Sequence, residues 1–97
     1  MTETNAVIVI RPQDNVGTAT RAIASGESIT VSVGARRLEL VARQDIRFLH
    51  KLALRDIAAG ECIYKYGAVI GEATQPIAAG EHVHVHNIRS LWGRAKS

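Results

Sequence analysis

A chain of 97 residues, 46% hydrophobic and 22% charged, has the size and balance of one globular domain, and its four aromatic residues (Phe48, Tyr64, Tyr66 and Trp92) leave the core to Ile, Val, Leu and Ala. The formal charge of +3 is scattered, with Arg36-Arg37 as the tightest cluster and no aromatic residues interleaved; this argues against a nucleic-acid partner and suits a surface that attracts small anions such as carboxylates. The single cysteine, Cys62, excludes an internal disulfide and a CxxC zinc site, and no apolar run nears the ~20 residues that cross a bilayer. The stretch from Met1 to Pro12 lacks the features of a signal peptide, so a cytoplasmic location away from membranes is expected.

Asn5 to Ile10 (NAVIVI) is β-branched and reads as a strand that Arg11-Pro12 ends. Asp14-Asn15 offers a helix cap, Val16, Ala19, Thr20 and Ile23 follow at helical spacing, and Gly26 supplies a stop; this predicts one short helix from Asn15 to Ala24. Beyond Gly26 the period falls to two. Glu27 to Val33 reads as a strand, Gly34 to Arg37 as a turn, and Leu38 to Ala42 as the returning strand. Gln44 to Phe48 is ambiguous, and His50 to Leu54 reads as another short strand.

A short unit echoes along the chain. Ile23-Ala24-Ser25-Gly26-Glu27 resembles Ile57-Ala58-Ala59-Gly60-Glu61 and Ile77-Ala78-Ala79-Gly80-Glu81. The uneven spacing rules out a regular solenoid. Each copy reads as an apolar anchor, a tight turn in which Gly permits positive φ, and a strand leaving after Glu. These glycines are expected to shape the chain rather than touch a ligand.

The chemistry-bearing residues fall in the second half. His82-Val83-His84-Val85-His86-Asn87, read as a strand, puts the three histidines on one face and the valines on the other. Histidines two apart can converge on one ion, and a catalytic metal needs about three protein ligands. The alternative is an exposed polar face. His84 and His86 are the two singled out as ligands, while His82, directly after the turn, reads as exposed. His50-Lys51 is a second feature and Lys65-Tyr66-Gly67 a third, the latter suited to a carboxylate. Arg55-Asp56 reads as a surface ion pair and Cys62 as a packed thiol.

Taken together, Ala42-Arg43-Gln44-Asp45-Ile46, His50-Lys51, Lys65-Tyr66-Gly67, Ile70-Gly71 and the closing His82 to Asn87 run resemble the small SAF-type domain of the altronate and galactarate dehydratase family, whose relatives include the sulfolactate sulfo-lyase small subunit. The resemblance implies a mostly-β, β-clip fold of short strands with one short helix, in a single domain over 1–97 with 1–4 and 91–97 as flexible tails. It implies a hydro-lyase small subunit acting on a sugar acid beside a separate large catalytic subunit. The alternatives are a sulfo-lyase small subunit and a non-enzymatic SAF module that grips a ligand or partner. It implies a divalent metal, often iron, held by His84 and His86. Catalysis would involve His50, Lys51, His84 and His86, with Lys65, Tyr66, Gly67 and Asn87 binding the hydroxy-acid substrate. Exposed short strands leave self-pairing of the isolated chain open. One departure stands out. The family usually has Pro and Gly before its His-Lys pair, where this chain has Arg47 and Leu49. Leucine resists positive φ, so a differently shaped His50 loop is expected.

Overall fold

Short β-branched runs punctuated by glycine turns favour strands over helices. The computed structural model describes residues 6–90, and among those residues it has nine strands and no helix. They are β1 (Val7–Ile8), β2 (Val16–Ala19), β3 (Ser28–Val33), β4 (Arg36–Val41), β5 (Lys51–Ala53), β6 (Cys62–Lys65), β7 (Ala68–Ala73), β8 (His82–Val83) and β9 (Ile88–Arg89). The expected mostly-β fold of short strands is found. The tails expected at 1–4 and 91–97 lie outside the described residues.

All pairings between the strands are antiparallel. A four-stranded sheet runs β1-β2-β5-β8, a hairpin joins β3 and β4, and a three-stranded sheet runs β6-β7-β9. The four-stranded sheet separates two apolar cores. Val7, Ala19, Val31, Ile46 and Leu52 belong to the first, and Val16, Ala53, Ile63, Ile77 and Val83 to the second. Alternation along β5 explains the split, because Leu52 and the next residue, Ala53, face opposite sides. Among the described residues, no buried side-chain polar atom lacks a hydrogen-bond partner.

The expected helix from Asn15 to Ala24 is replaced by β2 and a turn. The segment holds one Gly and four β-branched residues, which are weak helix formers, and its apolar positions serve two cores rather than one face. Strand β1 also lies so close that a Cβ on Gly17 would meet Val7 Cγ1 at 2.4 Å. The Asn15 cap is real but serves strands. Its Nδ2 donates to Cys62 O at 2.9 Å, and its Oδ1 accepts from Tyr64 N at 2.8 Å. The turn expected over Gly34 to Arg37 contracts to Gly34-Ala35, since Val33 and Arg36 already pair.

The three echoed units fold alike. Ile23 bridges Ile46, and Ile57 bridges Ile77. Gly26, Gly60 and Gly80 take φ of 86°, 84° and 86°. Glu27, Glu61 and Glu81 each turn a carboxylate back onto the N–H of Ala24, Ala58 and Ala78. A fourth copy has no sequence echo. In Ile46-Arg47-Phe48-Leu49-His50, Ile46 is the bridge residue, Leu49 takes φ 69°, and His50 N donates to Arg47 O at 3.0 Å, as Glu61 N donates to Ala58 O. Leu49 thus takes the positive φ that leucine was expected to resist. Leu49 adopts the backbone that glycine adopts in the other copies, and His50 takes the place of the capping Glu.

Candidate functional site

Strand register assembles the histidines. On β5 and β8, Leu52 pairs with His82 and Lys51 with Val83, so one further step sets His84 opposite His50. His50 and Leu52 share a face, which puts His50, His82 and His84 on the same side at the end of the sheet. The rings stack accordingly. The centroids of His50 and His84 are 4.5 Å apart, those of His50 and His82 5.0 Å, and those of His82 and His84 5.3 Å. His50 Nδ1 lies 2.8 Å from His82 Nε2, a contact that needs one donor and one acceptor nitrogen. One ligand atom from each of the three lies within 4.8 Å of the others.

The strand expected over His82 to Asn87 is not continuous. It stops at Val83, and the chain turns through residues 84–87. Asn87 makes that turn. Its side chain is fully buried, its Oδ1 accepts from His84 N at 2.9 Å, and its Nδ2 donates to His82 O at 2.8 Å. Val85, expected opposite the histidines beside Val83, is instead 80% exposed. His86 is exposed and lies outside the triad, with its ring 5.5 Å from that of His82 and tilted by 38°. The grouping thus brings together His50 and His84, adds His82, and leaves His86 beside it. Alternation places His82 on the face of His84, but its ring partner His50 lies 32 residues away, so no local signal marked His82 as a member of the triad.

Lys51 is close enough to act on His82 and His84, and Lys65 in turn acts on Lys51. Lys51 is half-buried at the start of β5, where burial and then the nearby Lys65 hold its pKa below the usual lysine value, while Tyr66 acts the other way. Lys65 Nζ sits 4.7 Å from the centroid of the Tyr66 ring. Burial lowers His82 to about 4, reinforced by His50, His84, His86 and Lys51. Burial also lowers His84, again with His50, Lys51 and His86. Every charged neighbour acting on His82 is therefore basic. Its imidazole is held neutral, as a metal ligand or proton acceptor must be.

Tyr66 and Gly67 form a two-residue hairpin turn, both at positive φ (59° and 75°), as a type I′ turn requires. The buried Asp14 fixes it by accepting from Tyr66 N at 3.0 Å and Gly67 N at 2.8 Å. The Gly67 N–H is thus committed to the turn. Arg55, expected to pair with Asp56, pairs with Glu61 instead, and Asp56 accepts from Ala79 N. Cys62 is half-buried in β6.

Three imidazoles that can meet at one point fit a divalent transition metal, because imidazole nitrogen suits iron, zinc and nickel. Lys51 near them, with Lys65 further along, suits the carboxylate of an anionic ligand. Residues 5–91 match the model of the altronate/galactarate dehydratase SAF domain. The chain belongs to that family. Over 83 residues this SAF domain is 42% identical to an altronate dehydratase of Bacillus subtilis strain 168 and 43% identical to one of Escherichia coli strain K12. Each alignment covers 86% of the chain but only 16% of the relative, so the chain spans a small part of the dehydratases it matches. Over 55 residues it is 46% identical to (2R)-sulfolactate sulfo-lyase subunit alpha of Chromohalobacter salexigens, covering 57% of the chain and 58% of that subunit.

Among the described residues, His50, His82 and His84 are each half-buried and keep part of their surface free. Grooves lined by Gly26, Val41 and Arg43, by Asp56, Pro76 and Glu81, by Pro12, Leu38 and Arg55, and by Ala22, Asp45 and Arg47 all lie away from the triad. Exposed apolar side chains border it instead, with Phe48 and Leu49 preceding His50 and Val85 following His84. No helix of the described residues is long and apolar enough to cross a membrane.

Proposed function

We propose that this SAF domain supplies metal-ligating and proton-transferring histidines to a hydro-lyase of the altronate/galactarate type, whose large catalytic subunit closes over the histidine face. The observation carrying this reading is the convergence of His50, His82 and His84 near Lys51, with only basic charge acting on His82. The half-buried histidines and their border of Phe48, Leu49 and Val85 support a partner that excludes water and provides the remaining walls. The alpha-subunit naming of one relative supports a companion subunit.

Loss of water from a sugar acid begins with removal of a weakly acidic proton next to a carboxylate, and the charge that develops must be stabilised. Lys51 and Lys65 hold the carboxylate oxygens, and Tyr66, whose ring adjoins Lys65, orients that end of the substrate. The three histidines would hold the divalent metal, which when bound supplies Lewis acidity toward the departing hydroxyl or the developing oxyanion. His86, exposed and outside the triad, is free to move a proton. Asp14 keeps the Lys65-Tyr66 corner in shape. The same apparatus would serve loss of sulfite from sulfolactate, and the identity to the sulfo-lyase alpha subunit favours testing it.

The test is purification of the tagged chain from its native cells, identification of the companion by mass spectrometry, and assay of the complex with altronate, galactarate and sulfolactate. A large lyase subunit is expected, with water loss that disappears when the SAF domain is removed. His50→Ala and His84→Ala are each expected to lower the rate at least ~100-fold. Full activity in both variants would falsify the assignment. Absence of any large companion would favour the ligand-binding module.

A further inference from the structure

We infer that Asn87 is a positioning residue, whose buried amide holds His82 and His84 in the spacing that lets them meet His50. No part of Asn87 reaches the surface, so it acts on a ligand only through its neighbours. Its two amide atoms clamp the main chain of two members of the triad, through the His82 carbonyl and the His84 N–H. Its own backbone completes the bracket. Asn87 N donates to His84 O at 3.0 Å, and Asn87 O accepts from Thr74 N at 2.9 Å, tying the histidine loop to the end of β7. Without the clamp the chain loses both side-chain bonds that turn it out of the strand after Val83, and only main-chain bonds of the loop remain. His84 would then be free to move away from its 4.5 Å stack on His50.

The side-chain chemistry is specific. The clamp needs one donor and one acceptor on a short stem, which asparagine has and aspartate lacks once ionised. The molecule contains its own control. Asn15 is likewise buried and likewise bridges a carbonyl and an N–H of main chain, but at Cys62 and Tyr64, in the strand pair away from the triad. Alanine at either position removes the same two kinds of hydrogen bond from a buried site. Only a change at Asn87 should disturb the histidines.

The metal readout rests on the function proposed above, and a second readout does not. The full chain, free of metal, is titrated with Co²⁺ alone and followed by visible absorption. Asn87→Ala is expected to weaken binding ~10–100-fold, the usual range for losing a group that supports a ligand, and Asn87→Asp to fall between it and the unsubstituted chain. Asn15→Ala is expected to bind as the unsubstituted chain does, despite a similar loss of resistance to urea. In parallel, nuclear Overhauser contacts between the His50 and His84 rings are measured without metal. They should vanish in Asn87→Ala and persist in Asn15→Ala. Should Asn87→Ala not fold, Asn87→Asp decides both readouts, since it keeps the acceptor for His84 N. Unchanged ring contacts in the Asn87 variants, or equal loss of cobalt binding and ring contacts in Asn15→Ala, overturn the inference. If the unsubstituted chain binds no Co²⁺, the metal reading fails, and the ring contacts alone decide the role of Asn87.

Discussion

Leu49 and Gly60 hold equivalent places in two copies of one turn, at φ 69° and 84°, yet only Gly60 lacks a side chain to strain. A left-handed backbone costs an L-residue about 1–2 kcal/mol, and the Leu49 side chain recovers little of it by burial, being 61% exposed. Leu49→Gly is therefore expected to stabilise the chain by up to ~1 kcal/mol after the added freedom of glycine in the unfolded state is subtracted. Urea unfolding checks this. If the proposed large subunit covers this face, the same variant should weaken its association, because it removes an apolar side chain from the border of the triad. A fall in urea midpoint would show that Leu49 is not strained.

The turn glycines differ in what surrounds them, and their alanine variants should separate conformational strain from collision. A Cβ on Gly60 meets nothing within 4 Å, so Gly60→Ala isolates the cost of positive φ, about 1–2 kcal/mol. A Cβ on Gly80 would sit 2.1 Å from Val41 O, a backbone atom that cannot swing aside. Gly80→Ala should cost ~3 kcal/mol or more, or prevent folding. Similar urea midpoints for the two variants would contradict this close approach.

Acid should weaken the fold through His82. Its folded-state pKa of about 4 lies below the ordinary value of 6.5, so between those values the unfolded chain binds the proton and the folded chain does not. Stability is therefore full above about pH 6.5, falls as pH drops toward 4, and stops falling from this cause once both states are protonated. His84 adds in the same direction. Melting temperature measured across this range should decline for the unsubstituted chain and decline less for His82→Gln. Parallel curves would show that His82 is not held neutral.

Asp14 bridges the start of the chain to the Lys65-Tyr66 corner. Its carboxylate accepts from Arg11 N, Tyr66 N and Gly67 N. Asn in its place turns one acceptor into a donor that faces an N–H, at a cost of about 1–3 kcal/mol. Asp14→Asn should lower the urea midpoint accordingly and, under the proposed function, raise KM for the acid substrate, because Lys65 and Tyr66 lose their fixed turn. An unchanged midpoint would mean that the turn holds itself.

Much of the architecture was legible in the residues themselves. The strand–turn–strand from Ser28 to Val41 follows from alternation about Gly34, and the Ile-x-x-Gly-Glu turns follow from Gly26, Gly60 and Gly80, because both signals are local. The helix predicted over Asn15 to Ala24 failed for a non-local reason. Val16 and Ile23 are buried as expected, but in different cores on opposite sides of a sheet. Their helical spacing was a by-product of two strand-like demands.

The amino-acid sequence by itself determined a mostly-β chain, its turns, and a concentration of histidine and lysine in the second half. Which of those side chains meet was decided only by tertiary structure. His50 and His82 become neighbours because β5 pairs with β8 in one register, and a slip of a single residue would turn one set of side chains to the other face. His84 joins them, and His86 is set outside, because a buried Asn87 bends the loop at a point where alternation alone would have continued the strand. Local pattern specifies which face a residue prefers along its own strand. The partner across the sheet is chosen by the packing of two cores that no short stretch of sequence contains.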